Sequence, residues 1–275
     1  MYVGEDAPGG LRSPHVVDEP SGSRVPLHRS AIPDGYPNAG IEFDVHLVET
    51  QRDRDCARDL LNRMYDWRGY GANHVLDAAE NSTSFAVSLD EEVVCTLTLR
   101  VDAGAGLTAD KTFPDVLGEA REVPRASLCE LTKFACSPSK DSRFLLASMF
   151  HTIFIFGTEK YNCTDLFIEV NPRHIRFYET MLGFKKVSEL RTNKGVDAPS
   201  QLMRLKVADI ASNIKRHAGC NDSAAKRSLY PYFLSEEEEQ AVRAAVRSRF
   251  GSFAESSARA EAPVRLMAVD TLLAA

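Results

Sequence analysis

The 275-residue chain lacks three features that would settle its class quickly: a surplus of positive charge, closely spaced cysteines, and an apolar run long enough to span a bilayer. Lysine and arginine total 33 against 39 aspartates and glutamates, a formal net charge of −6. Phosphate contacts need basic residues clustered in excess, so this balance speaks against a nucleic-acid binder. The six cysteines (Cys56, Cys95, Cys129, Cys136, Cys163, Cys220) include no Cys-x-x-Cys pair and no close histidine partner. Neither a zinc site nor a disulfide framework is therefore expected, and the cysteines read as free buried thiols in a reducing compartment. The first twenty residues show no basic stretch followed by an apolar core, unlike a secretory signal, and the expected location is the cytoplasm. The 14-residue segment FLLASMFHTIFIFG at 144–157 is apolar nearly all round. As a helix it would cover only about 21 Å of a hydrocarbon layer about 30 Å thick, so it reads as a buried helix with no stable membrane insertion.

What is present, 44% hydrophobic and 26% charged residues, suits one globular core with flanking segments. Residues 1–40, rich in Pro, Gly and Ser, read as a flexible leader. Alternation of apolar and polar residues from Ile41 to Val48 marks a first strand. Between Asp53 and Tyr65, Cys56, Leu60, Leu61 and Met64 recur at helical spacing. Ser84–Arg100 gives two strand-like runs around an acidic turn, a hairpin without the usual Asn-Gly. A loop with Gly104, Gly106 and Pro114 leads to an alternating strand at Leu128–Cys136, then the apolar helix, then a short strand at Asp165–Val170. After Asn171-Pro172, a helix is expected to Leu182 with Gly183 as its C-cap, and Phe184–Val187 and Gln201–Val207 supply closing strands. Beyond residue 208, Ser235 and Glu238 form a capping-box start to a helix through Val246, within a helical extension, 208–275, whose end is partly disordered. Residues 41–207 thus form an α/β domain with a mixed, twisted sheet and helices on both faces.

The stretch from Cys136 to Phe184, ending in NPRHIRFYETMLGF, resembles the second half of the GCN5-related acyltransferase (GNAT) fold, with Asn171, Tyr178 and Gly183-Phe184 at the recurring positions. Acetyl-CoA enzymes of that fold carry small residues in the loop before the helix, where backbone N–H groups approach a pyrophosphate. Here the loop reads Ser139-Lys140-Asp141-Ser142-Arg143, without glycine. Two further segments, RMYDWRGY at 63–70 and ELTKFA at 130–135, resemble the acyl-homoserine lactone synthases and, more closely, the long-chain N-acyl amino acid synthases. In the lactone synthases the Lys133 position is usually arginine, and several of their acidic residues have no counterpart here.

The resemblance implies direct attack of an amino acid α-amine on a fatty acyl thioester, with no acyl-enzyme and no tightly bound cofactor. The cosubstrate would be an acyl-phosphopantetheine thioester on acyl carrier protein, or else acyl-CoA, and Lys140, Arg143, Arg173 and Arg176 could meet the acidic carrier. Glu130 is the candidate base, because burial raises a carboxylate's pKa; an ion pair with a first-helix arginine is the competing role. In a regular strand its side chain shares a face with Thr132 and opposes Lys133, and a bulge, which the fold often has here, would change that. Tyr178 stands where the fold's general acid protonates the leaving thiolate, or else packs helix on sheet. Asn171 would bind the pantetheine amide, or simply cap the turn. Backbone N–H groups near Phe134, Ala135 and Cys136 would hold the thioester oxygen, and Arg63 and Arg68 the amino acid carboxylate. His151 and His174 receive no role. The phenylalanines of the apolar helix (Phe144, Phe150, Phe154, Phe156) either line an acyl channel or pack the core. The rival functions are CoA-dependent acetylation of a small amine or protein, lactone synthesis from S-adenosylmethionine, and a catalytically silent module that binds acyl chains or carrier protein.

Overall fold

A computed structural model describes residues 24–34, 38–76, 79–137, 143–219 and 227–253. The strands are β1 (His28–Ala31), β2 (Glu42–Leu47), β3 (Ser82–Leu89), β4 (Glu92–Val101), β5 (Leu128–Cys136), β6 (Asp165–Val170), β7 (Lys185–Lys186), β8 (Arg191–Asn193) and β9 (Ala198–Lys206). The helices are α1 (Gln51–Asp66), α2 (Pro114–Arg121), α3 (Arg143–Tyr161), α4 (Ile175–Leu182), α5 (Val207–His217) and α6 (Glu236–Phe250). The sheet runs β1-β2-β3-β4-β5-β6-β9-β7, with β8 pairing β9. Neighbours are antiparallel except β5 and β6, which run parallel and are joined by α3. This is the mixed sheet with helices on both faces that the sequence predicts.

Local chemistry explains most boundaries. Thr50 caps α1 by accepting from the Asp53 amide at 3.0 Å while Asp53 returns the contact, and Ser235 does the same for α6 with Glu238. The β3–β4 turn places Asp90 and Glu91 at φ 45° and 67°, the left-handed pair that a tight hairpin needs. Gly183 ends α4 at φ 87°, where a side chain would be strained. Three expectations are corrected. The sheet begins at His28, because β1 pairs with β2 inside the segment read as leader. The 102–127 connection is not plain loop: it holds a 3₁₀ turn at Thr108–Lys111 and α2, opened by Pro114. Cys95 and Cys136 are not free thiols: they face each other across β4 and β5 with Cα atoms 4.1 Å apart and form a disulfide. Cys56, Cys129 and Cys163 remain free.

The sheet separates two interiors. On one side α3, α5, α6 and the 229–234 turn cover Cys129, Leu131, Leu97, Leu99, Ile168 and Leu205. On the other, α1 packs on Ala86, Val93 and Ala135, while α2 and the Leu107–Phe113 segment pack on Leu128, Phe167 and Leu202. No helix among the described residues is long and apolar enough to cross a membrane.

Candidate active site

Strand β5 is where the two interiors meet. Its parallel pairing with β6 covers only Leu128–Glu130 against Asp165–Phe167. Its antiparallel pairing with β4 shifts between Thr132 and Ala135, where Lys133 adopts φ 56°. One extra residue on β5 at this point is a β-bulge. It reverses the side-chain alternation. Before it, Leu128 and Glu130 face α2 while Cys129 and Leu131 face α3; after it, Ala135 lies under α1 and Phe134 packs against Phe150 of α3 at 5.9 Å. The bulge stands at the start of the Phe134–Cys136 segment whose backbone donors the sequence singles out, and beyond it Ala135 and Cys136 pair again with Thr96 and Cys95.

Glu130 is 1% exposed, in the middle of the sheet. Its Oε2 accepts from the Thr108 amide at 2.7 Å. Burial pushes its pKa up to about 7, with the Glu169 carboxylate adding to the rise and the Thr108 and Ala109 amides and Arg100 opposing it. The cation that acts on its charge is Arg100, directly across the ladder on β4, rather than an arginine of the first helix. The segment that supplies the Thr108 amide is pinned by Arg121, which donates to Asp102 and Asp110 at 2.6 Å each. On the same face, Glu169 accepts from the Asn193 side chain at 2.7 Å.

Tyr178 sits in a different neighbourhood, at the end of α1. It is half-buried, its ring lies edge-on to Phe177 and Phe184 at 5.1 and 5.8 Å, and burial raises its pKa, with Tyr65 reinforcing and Arg68 opposing the effect. Arg68 follows the last turn of α1, donating to the Met64 carbonyl at 2.9 Å. Arg63, five residues earlier, is exposed. Arg173 donates to the Tyr70 hydroxyl at 2.7 Å and lies over its ring at 5.1 Å, tying the end of α1 to the start of α4. Asn171 accepts from the Arg173 amide at 3.2 Å as the cap of the 172–174 turn and donates to the Pro199 carbonyl at 3.3 Å. Arg143 is exposed and donates to the Tyr232 hydroxyl at 3.3 Å. Lys140 lies outside the described residues. Sequence reasoning missed Arg100, Tyr65 and Tyr70; the last two fall inside the RMYDWRGY motif, which marked the place but not the roles.

Opposite Glu130, on the α3 side of β5, is a small apolar cavity, part of it open to solvent. Leu131, Cys129, Phe150, Ile153 and Phe154 contribute to its wall. Phe156 instead packs into the core against Phe85 at 5.2 Å, and Phe144 against Tyr232 at 5.2 Å, so the phenylalanines of α3 divide between cavity and packing. His151 is fully buried and accepts from the Leu234 amide at 3.1 Å, a structural contact. Among the described residues no cluster of His, Cys, Asp and Glu is suited to hold a metal ion.

The family model described as "N-acyl amino acid synthase FeeM" matches residues 56–206, a span that contains β3 to β9, α2 to α4 and most of α1. The chain belongs to this family. It is an acyltransferase of the GNAT fold. Among solved structures, FeeM, an N-acyl amino acid synthase from uncultured soil microbes, is 24% identical, with a TM-score of 0.55 over 62% of this chain and 93% of that one. The acyl-homoserine lactone synthase LasI is 14% identical, with a TM-score of 0.47 over 61% and 91%. A probable acetyltransferase from Staphylococcus epidermidis is 14% identical, with a TM-score of 0.43 over 60% and 98%. No curated protein matches the chain.

Proposed function

We propose that this N-acyltransferase joins a long fatty acyl group, carried as a thioester on acyl carrier protein in the cytoplasm, to the α-amine of an amino acid. The observation that carries the reading is the division of labour on β5: a buried carboxylate poised near neutral pH on one face and an apolar cavity on the other. An α-amine must lose a proton to attack a thioester, and a carboxylate with a pKa near 7 accepts it at working pH without being permanently protonated. Glu130 is the proposed base, directly or through a water. Tyr178 is the proposed acid for the leaving thiolate: its phenol keeps its proton in its buried setting and so has one to give. The amides of Phe134, Ala135 and Cys136 would hold the thioester oxygen at the bulge, and Asn171 the pantetheine arm. Arg68, with Arg63 or Lys133, would meet the amino acid carboxylate.

The carrier-protein donor is favoured by the loop before α3, Ser137-Pro138-Ser139-Lys140-Asp141-Ser142-Arg143, which has no glycine for a backbone cradle around a diphosphate. A carrier-borne phosphopantetheine brings a single phosphate and an acidic protein surface, which Lys140 and the exposed Arg143, Arg173 and Arg176 suit by charge. The test is mass spectrometry of products after incubation with palmitoyl-loaded carrier protein or palmitoyl-CoA, each with all twenty amino acids. An N-palmitoyl amino acid formed from the carrier protein alone supports the full reading. Acyl amide from the CoA thioester alone reverses the donor assignment, and none from either donor overturns the reading.

A further inference from the structure

The cavity has two kinds of wall. Leu99, Cys129, Leu131, Phe150, Ile153 and Phe154 come from the span that matches the family, whereas Val207, Ile210, Tyr230 and Phe233 come from beyond its end at residue 206. The polar groups on the lining are turned away from the space. The Thr158 hydroxyl donates to the Phe154 and Ile155 carbonyls at 2.9 Å each, and the Tyr230 hydroxyl to the Leu182 carbonyl at 2.9 Å. With its polar atoms committed, the cavity offers a ligand only dispersion and desolvation, which fits a hydrocarbon chain and no polar molecule.

The outer wall is built as a fixed stop. The Leu229 amide donates to the Met181 carbonyl at 2.9 Å, and the Leu234 amide to His151 at 3.1 Å. The Phe233 ring stacks on His151 at 4.9 Å. His151 in turn faces Glu239 of α6 at 3.3 Å, and Arg243 and Arg247 anchor that helix to Glu159 of α3. We propose that the segment after residue 206, through Ile210, Tyr230 and Phe233, closes the far end of the fatty acyl cavity and sets the longest acyl chain the enzyme accepts. This rests on the acyl-transfer reading for the identity of the chain, but the wall can be tested by binding alone.

The experiment measures binding of acyl-pantetheines of eight to eighteen carbons by calorimetry to the wild type, Phe233→Ala, Ile210→Phe and the control Lys215→Ala, an exposed α5 residue off the cavity, with thermal melts to establish folding. Each methylene that gains burial should tighten binding about four-fold, the fold-change of about 0.8 kcal/mol per buried CH₂. Phe233→Ala should move the optimum to longer chains, Ile210→Phe to shorter ones, and Lys215→Ala should leave it in place. An unchanged optimum in folded Phe233→Ala and Ile210→Phe overturns the proposal. Shifted optima with no amide formed from any amine would support the wall and sink the acyl-transfer reading instead.

Discussion

The two faces of β5 are built on opposite principles. Toward α1 and α2 the strand presents Glu130, held by a backbone amide and surrounded by Arg100 and Glu169, with the covering segment pinned through Arg121. Toward α3 and α5 it presents Cys129 and Leu131 to a space lined with carbon. Polar groups in a low-dielectric setting are specific and costly, while apolar walls are tolerant of shape and graded in energy. An acyl amino acid has the same asymmetry, a charged head and a long tail. The bulge at Lys133 lets one strand serve both, since it turns Phe134 to the apolar side and Ala135 to the other.

The largest effect separating the faces should come from Glu130→Gln. If Glu130 is the base, amide formation in single turnover falls by about 10² to 10⁴ while fatty acyl binding stays as in the wild type. Equal loss of binding and rate would mean that the faces are one mechanical unit. Tyr178→Phe should follow, with a loss of about 10² in the same assay, because the ring packing on Phe177 and Phe184 is kept and only the proton donor is removed. A less basic leaving thiol should shrink that loss; if it does not, Tyr178 is packing alone.

A smaller, pH-dependent effect belongs to the polar face by itself. Glu130 has a pKa of about 7 in the fold against an ordinary 4.5, so between these values the unfolded chain has released a proton that the native state still holds. Stability contributed by this group is therefore complete below about pH 4.5 and is lost as pH rises through 7, by at most about 3 kcal/mol. Urea melts at pH 5 and pH 8 should show the decline, and Glu130→Gln should remove it. The rate runs the other way: kcat/KM should climb toward a plateau above pH 7, as the ionised form becomes available. A decline in stability that survives Glu130→Gln would assign it to another group.

Much of this comparison was legible in the chain. The alternation at 128–136 and 165–170, the helical spacing in α1 and the caps at Ser235 and Gly183 all have local causes, and each element stands where the pattern put it. Missed were β1, four residues whose only cause is pairing with β2, and α2, a short helix with Gly118 inside it. The α5 helix was missed too, although Val207, Ile210 and Ile214 carry helical spacing. The site divides the same way. That Glu130 would be buried follows from its place in an apolar strand. That Arg100 faces it, that Cys95 meets Cys136, and that Tyr70 holds Arg173 depend on register between segments far apart in sequence, which no local pattern encodes.

The finest test acts on the apolar face, where stability and room for substrate compete for the same space. Gly157 lies on the cavity wall within α3, and a methyl group there would meet Leu99 at 3.6 Å and Cys163 at 3.7 Å, ordinary van der Waals distances. Gly157→Ala should therefore stabilise the protein, by up to about 1 kcal/mol from helix propensity, or ~2–4 °C in Tm. The same methyl narrows the cavity, so the longest acyl chains should lose affinity relative to shorter ones while rates with short chains hold. No such trade exists at Glu130, where charge rather than volume is at stake. A stabilised variant with an unaltered chain-length profile would show that the cavity is a packing defect, and the contrast between the two faces would then reduce to one working face and one core.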